Sequence, residues 1–504
     1  MAFRQASTKN PATARVNPKR IKTKHMKKTN RLPAAGMIVF LLAGLLSVRA
    51  VGQTDTLTPF SIRDLHEAML RFHPVVKQAE LLPELARQEI RMARGNFDPK
   101  LESRFSGKEY GGKDYYQKWA TSVTLPTWFP VDPKIGLEQN SGAFLDPENQ
   151  FSSADHYRQF FSGISVPVGR GLFIDDRRAA LRQAQLLARL ADADQVKAIN
   201  KILLEAAKDY WQWYFTWHNL KLLERNVERA ADIYRRVQLN TELGEAAVID
   251  TVQARITLQS RQVEQQEATM ELRNAILRLS MHLWDEAQNP VLLRPETSPA
   301  EAPPIDDLTD ELVGQLLQFA KENHPEVVKV DTKLMQLRID QKLASEYLKP
   351  RLDLGYYLLN QSFGTGLTLT DNYKLNVDFS VPLLLRKERS KLASTKVKIR
   401  QTQLEQLQVA RDVANQLQVI HNQLVYTRQM LQQQRQIASH YERLLQAELL
   451  NLENGESDLF KINVQQEKLI QAQAKVIKLV AELEKSRAML YWAAGTRNLS
   501  LEDL

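Results

Sequence analysis

Apolar residues recur at steps of three and four along one stretch of the chain: Leu190, Ala193, Val196, Ile199, Leu203, Ala207, Trp211, Tyr214, Trp217, Leu220, Leu223, Val227, Ala230, Tyr234 and Val237. That spacing is close to a heptad and predicts a helix that supercoils with long neighbours. A second stretch keeps the step in Val413, Leu417, Ile420 and Leu424, set among Gln416, Gln418, Gln423, Gln429, Gln432, Gln433 and Gln434. A polar, uncharged face of this kind either lines water inside an assembly or is a solvated exterior. Both stretches lie in proline-free runs, 168–289 and 383–504, and one isolated glycine breaks each run deep inside, Gly244 and Gly455. Proline is what helices exclude and glycine is what ends them, so each run reads as a very long helix, a turn and a return helix. From Asp175 to Leu243 such a helix is roughly 100 Å long at about 1.5 Å per residue. No ordinary domain core is that long, so the helix must be one stave of a coiled-coil-like assembly.

Elsewhere the period changes to two. Leu375, Val377, Phe379 and Val381 alternate with Asn376, Asp378 and Ser380, and Trp119, Val123 and Leu125 alternate with Ala120, Ser122 and Thr124. Phe160, Ile164 and Val166 oppose Phe161, Gly163 and Ser165 less cleanly. Strands of about ten residues, apolar outside and polar inside, suit a transmembrane β-barrel, although a soluble sheet with one buried face alternates in the same way. Tyr110, Tyr115, Tyr116, Trp119, Trp128, Phe129, Tyr157, Tyr356, Tyr357 and Phe363 are placed near the strand ends as an interfacial belt.

The chain repeats itself. A short helix from Ser61 to Phe72, with Ser61 as N-cap, precedes His73-Pro74 and a helix to about Arg94 that kinks at Pro83; Asp307 to Asn323, His324-Pro325 and a helix to about Tyr347 match it. Pro99 and Pro350 then open the strand regions. The expected layout is 53–289 for the first copy, a proline-rich linker at 290–304, and 305–504 for the second. The copies differ in one place. A single hairpin fits between Pro350 and Pro382, whereas the interval from Pro99 to Pro167 holds far more than one, and Leu125-Pro126 already matches Val381-Pro382. Residues 134–167 therefore read either as an added hairpin, Lys134–Asn140 and Tyr157–Val166 around the polar loop Ser141–Asp155, or as part of a long extracellular loop spanning 127–157.

The N-terminus is read as a secretory signal. Ala34 to Val48 is apolar, too short to span a bilayer, preceded by basic residues and followed by Ala50 and Gly52, so 1–52 is the expected signal peptide, with Met26 a plausible true start. These residues hold 11 Lys or Arg and no acid, so 68 less 11 leaves 57 basic against 59 acidic residues, and the mature chain is about −2 rather than +9. Nucleic-acid binding loses its support. With no cysteine there is no disulfide, no thiolate zinc site and no lipid-anchor cysteine. His73 and His324 precede prolines at equivalent positions and read as helix starts, Gly169-Arg170-Gly171 reads as a hinge, and no catalytic motif or cofactor site is present.

Over essentially the whole mature chain this layout resembles the TolC-like outer membrane efflux protein family. The turn Leu243-Gly244-Glu245-Ala246-Ala247-Val248-Ile249-Asp250, followed by Ala254-Arg255, is a close match to the family's turn; Asn454-Gly455-Glu456-Ser457-Asp458 keeps the glycine but has Lys461 where the first copy has Asp250. The stretch Gly163 to Asp176 looks like the form of Bacteroidetes-type members. The resemblance implies a mostly α fold with a β-hairpin region: a homotrimer whose hairpins close one barrel in the outer membrane and whose helices form a periplasmic α-barrel. It implies a passive exit duct for efflux or type I secretion, not an enzyme and without cofactor. A periplasmic adaptor tied to an inner-membrane transporter would dock at a tip made of Leu243, Gly244, Glu245, Asn454, Gly455, Glu456 and Ser457, and Asp250 and Asp458 would line its constriction. Each aspartate is equally an ordinary helix cap. The competing reading is a periplasmic coiled-coil scaffold or adaptor, which should lack the amphipathic hairpins.

Overall fold

The computed structural model describes residues 58–144, 158–244, 246–294, 296–304, 310–360, 372–454 and 456–499. The proposed signal segment therefore lies outside the described residues, as do Glu245, Gly455, Tyr157 and Phe363. A short strand β1 (Thr58–Phe60) leads into α1 (Ile62–Phe72), α2 (Pro74–Glu80) and α3 (Leu82–Arg94). Four strands follow, β2 (Lys100–Tyr110), β3 (Lys113–Thr124), β4 (Asp132–Ser141) and β5 (Arg158–Pro167), then the long α4 (Asp176–Glu242) and its return α5 (Val248–Ser280). After β6 (Thr297–Pro299) the pattern returns as α6 (Asp310–Asn323), α7 (Pro325–Glu346), β7 (Arg351–Asn360), β8 (Tyr373–Ser380), α8 (Arg386–Glu453) and α9 (Leu459–Ala494).

Local chemistry sets these boundaries. Ser61 caps α1 in a reciprocal box: the Asp64 N–H donates to Ser61 Oγ at 3.1 Å and the Ser61 N–H donates to Asp64 Oδ2 at 2.9 Å. The two His-Pro pairs act alike. In each the imidazole Nδ1 accepts a backbone N–H two residues on, Val75 to His73 and Glu326 to His324, both at 3.2 Å. The histidines are thus the caps themselves. Pro83 sits in the first turn of α3, where its missing N–H costs nothing, and the expected kink is a break at Leu81.

The heptad residues of α4 point inward: Ala193, Ile199, Leu203, Ala207, Trp211, Tyr214, Leu220, Leu223, Ala230 and Val237 are buried, and Leu190, Val196, Trp217, Val227 and Tyr234 are half-buried. At mid-length burial goes nearly all round. Leu65 and Met69 of α1, Val76 of α2, Leu279 of α5 and Ala481 of α9 close on Leu203, Tyr210, Trp211 and Trp213. A large side chain fully buried there stabilises by about 1.5–3 kcal/mol, and this waist also ties the two copies together. There β1 pairs in parallel with β6, and Tyr210 Oη donates to the Phe60 carbonyl at 2.8 Å. A second core joins α6, α8 and α9 through Leu316, Ala320, Leu417, Ile420, Leu424, Leu431 and Leu490. Gln416, Gln418, Gln423, Gln429, Gln432 and Gln433 of α8 are exposed, whereas Gln434 is buried and donates to the Ala472 carbonyl.

The larger sheet has six strands among the described residues, all antiparallel, in the order β2-β3-β4-β5-β7-β8. The first copy contributes four strands and the second two, so the insert at 134–167 is a hairpin inside the sheet. The reading of 127–157 as one long loop is corrected: β3 returns to β4 through a short turn, with the Leu125 N–H bonded to the Pro133 carbonyl at 2.8 Å and the Thr127 N–H to Asp132. The aromatic belt needs correction too. Tyr356 and Tyr357 lie in the middle of β7, and Tyr357 faces the inside of the curl.

Candidate conduit: the sheet wall and the helical tips

Register turns the alternation into two continuous faces. On one face Leu101 pairs Val123, which pairs Ile135; Phe105 pairs Trp119; Ile164 pairs Tyr356, which pairs Leu375; Val377 pairs Leu354 and Phe379 pairs Leu352. Leu101, Phe105, Trp119, Ile135, Ile164, Leu375, Val377 and Phe379 are all exposed. Ser103, Thr121, Gln139 and Ser162 lie among them, yet every one of the six strands carries apolar residues on this face, and an exposed apolar surface that wide marks contact with lipid or protein. The opposite face carries Glu102, Arg104, Ser122, Lys134, Glu138, Asn140, Gln159, Asp353 and Asp378, and Ser122, Asn140 and Gln159 are buried in the curl.

Glycines let that inner face close up. A Cβ on Gly163 would lie 2.0 Å from the Tyr356 carbonyl oxygen and 2.7 Å from the Tyr357 ring, and one on Gly136 would lie 2.4 Å from the Phe161 ring. The rings of Phe161 and Tyr357 meet edge to face, centroids 5.8 Å apart at 89°. Aromatic rings laid over glycines bend a sheet and pin its register.

Below the sheet the chain turns into helix at the expected hinge. Gly169 packs so closely that a Cβ would sit 2.1 Å from the Pro350 carbonyl oxygen, and the Arg170 guanidinium lies 3.4 Å from the centre of the Tyr347 ring. Asp175 caps α4 through the Arg178 N–H at 2.9 Å.

At the far ends of the long helices lie the two turns. Leu243 is the C-cap of α4, and Gly244 follows at φ +79 with its Cβ direction open to solvent. Gly244 donates to the Thr241 carbonyl at 3.1 Å and Ala246 to that of Asn240 at 3.2 Å, satisfying carbonyls that the helix end would leave bare. In the second turn Asn454 is the C-cap of α8, the Glu456 N–H bonds the Asn451 carbonyl at 2.8 Å, and Ser457 Oγ bonds the Glu448 carboxylate. Leu243, Asn454 and Glu456 are exposed and Ser457 is half-buried, so the tip residues with described side chains form an accessible surface.

Both aspartates serve as caps. Asp250, third residue of α5, reaches back to accept the Ala247 N–H at 3.3 Å; Asp458, N-cap of α9, accepts the Lys461 N–H at 2.9 Å. They supply opposite halves of one capping box, which explains why Lys461 stands where the first copy has Asp250. Two features escaped the sequence reading. Val248, Ile249, Val252 and Phe460 form exposed apolar positions just beyond the turns. Arg261, itself buried, joins Glu264 of its own helix at 2.8 Å to Glu467 of α9 at 2.5 Å. Apolar residues off the heptad face, directly after a turn glycine, were the available signal for the first; an arginine among many gave none for the second.

No family model and no curated protein matches the sequence. Solved structures do. The outer-membrane channel OprN aligns with a TM-score of 0.63 at 15% identity, over 87% of this chain and 91% of that one. The outer membrane protein VceC of Vibrio cholerae aligns at 0.60 and 14%, over 86% and 96%. The chain has the TolC-like channel fold. The Campylobacter jejuni CmeC outer membrane channel aligns at 0.59 and 14%, over 86% and 85%. Nearly the full length of each protein is shared, so the TolC-like fold embraces sheet, waist and tips together.

Proposed function

We propose that this chain is an outer-membrane exit duct, a passive conduit that assembles as a homotrimer and docks a periplasmic adaptor of an inner-membrane efflux pump or secretion transporter. The observation that carries the reading is the open six-stranded sheet, whose outer face carries exposed apolar residues on every strand, set on helices roughly 100 Å long. An open sheet cannot stand in a bilayer, because each edge leaves backbone groups without partners, so several copies must close one barrel. Structural likeness to channels such as OprN and CmeC supports the same conclusion. No described helix is long and apolar enough to cross a membrane. The helices would then reach into the periplasm and present the two turns to the adaptor, with Asp250 and Asp458 close to the constriction. Transport involves no chemical step in this chain. The test is fractionation of cells followed by cross-linking in mild detergent. Recovery as a detergent-stable trimer from the outer membrane is expected, and recovery as a soluble monomer would overturn the proposal.

A further inference from the structure

We infer that β2 of one copy pairs with β8 of the next in a single register, closing a barrel of eighteen strands rather than twelve. The inference rests on the trimeric conduit proposed above and adds the strand count, the partner edges and the register. Three observations carry it.

The first is that β4 and β5 are built into the sheet. Both strands are paired along their length on both sides. The glycine and aromatic contacts that bend the inner face run through them, from Gly136 on β4 to Phe161 and Gly163 on β5 and Tyr357 on β7. Ile135 stands exposed on the lipid-side face, paired with Val123 on one side and Ser162 on the other. A hairpin standing clear of the membrane would need none of this.

The second is stagger. The paired row that starts at Lys100 passes through Thr124, Lys134, Gly163, Tyr357 and Lys374. Lys100 and Thr124 stand at the helix-side ends of their strands, yet Tyr357 and Lys374 stand six residues above Arg351 and Ser380, the corresponding ends. A rise of six residues at about 3.4 Å over five strand spacings of about 4.8 Å is a tilt of roughly 40°, as a closed barrel requires.

The third is the chemistry of the edges. β2 and β8 end the sheet, and every residue of both is exposed. Carrying the stagger across the gap, with the polar face kept inside, puts Asp378 opposite either Arg104 or Glu102 of the next copy. Like charges directly opposite destabilise a strand pair and unlike charges stabilise it, which selects Arg104. The same register seats Val377 against Phe105 on the lipid side and brings Lys374 opposite Lys108. Each of those lysines has its own partner, Glu138 at 3.9 Å and the Tyr115 ring at 5.0 Å. Eighteen strands at this tilt enclose a backbone diameter of roughly 36 Å, against roughly 24 Å for twelve. That bore takes a hairpin of two helices, each about 10–12 Å across, so selection of cargo falls to the helical end.

The chain has no cysteine, so single and paired cysteines report cleanly. In full-length protein in phosphatidylcholine vesicles, bimane on Ile135→Cys should be quenched by spin-labelled lipid, and bimane on Glu138→Cys by aqueous iodide. Oxidation of Phe105→Cys with Val377→Cys should give a covalent trimer faster than Phe105→Cys with Leu375→Cys. A cryo-EM strand count on the unmodified trimer reads the same point without substitution. Trimers in the membrane with Ile135 open to iodide and shielded from lipid, or with twelve strands, overturn the eighteen-stranded barrel and leave the conduit standing. Faster cross-linking through Leu375 overturns the register. A protein that never forms trimers overturns both this inference and the function on which it rests.

Discussion

Arg177, in the first turn of α4, holds Asp132 at the foot of β4: Nη2 lies 3.1 Å from Asp132 Oδ2 and 3.1 Å from Asp175 Oδ2. Its guanidinium also stands over the Phe97 ring at 5.7 Å. One side chain therefore fastens the inserted hairpin, the cap of the long helix and the end of the α3 region. Arg177→Ala leaves two half-buried carboxylates facing each other. It should lower stability by roughly 1–3 kcal/mol, seen as a fall in the heat needed to dissociate the trimer in SDS, while Arg177→Lys restores part of the loss.

The inner-face glycines give a prediction with a built-in control. At Gly355 the nearest atoms to an added Cβ belong to the Tyr357 side chain, at 2.8 Å; at Gly163 the nearest is backbone, the Tyr356 carbonyl oxygen at 2.0 Å. A ring can move and a paired strand cannot. Gly355→Ala should cost about 1–3 kcal/mol and be rescued by Tyr357→Leu, whereas Gly163→Ala should not be rescued. Urea unfolding of the refolded protein in detergent micelles measures both.

At the tip, Gly244 occupies a left-handed conformation with free space around it. Gly244→Val is therefore opposed by backbone strain alone, on the order of 1–3 kcal/mol, and should reshape the turn without disturbing the waist. Trimer yield should stay normal and adaptor binding, measured by co-purification, should fall. Gly244→Asn, which tolerates this φ, should retain binding.

Acid should loosen the waist. Burial pushes the pKa of His324 down to about 4 from an ordinary 6.5, and burial does the same for His66. A histidine whose folded pKa is depressed contributes its full stability above the unfolded value. That stability is lost as pH falls from about 6.5 through 4, because the unfolded chain takes up the proton first. The cap makes the cause concrete: protonated at Nδ1, His324 can no longer accept the Glu326 N–H. Thermal unfolding followed by circular dichroism at pH 7 and pH 4.5 should show a lower midpoint in acid, and His324→Asn, which keeps an acceptor without a charge, should shrink the difference.

Much of this protein was legible from local chemistry. The first long helix, read as Asp175 to Leu243, runs from Asp176 to Glu242, since Gly244 and Asp175 decide those ends by backbone conformation and by one capping carboxylate. The His-Pro repeat marked both helix starts, because proline and a short-range acceptor act over two residues. The strands at 134–140 and 157–166 were drawn from the excess length between Pro99 and Pro167, and the structure places them at Asp132–Ser141 and Arg158–Pro167. What the sequence could not decide was whether that text was sheet or loop. Alternation is a property of one strand, while membership in a sheet depends on partners far away, such as Tyr356 and Tyr357 beside Ile164 and Gly163. The same distance hid Tyr357's turn toward the inside and the bridge from Arg261 to Glu467, 206 residues apart. Periodicity and caps are written within a few residues of where they act; which face is inner, and which charge meets which, is settled only when the two copies fold against each other.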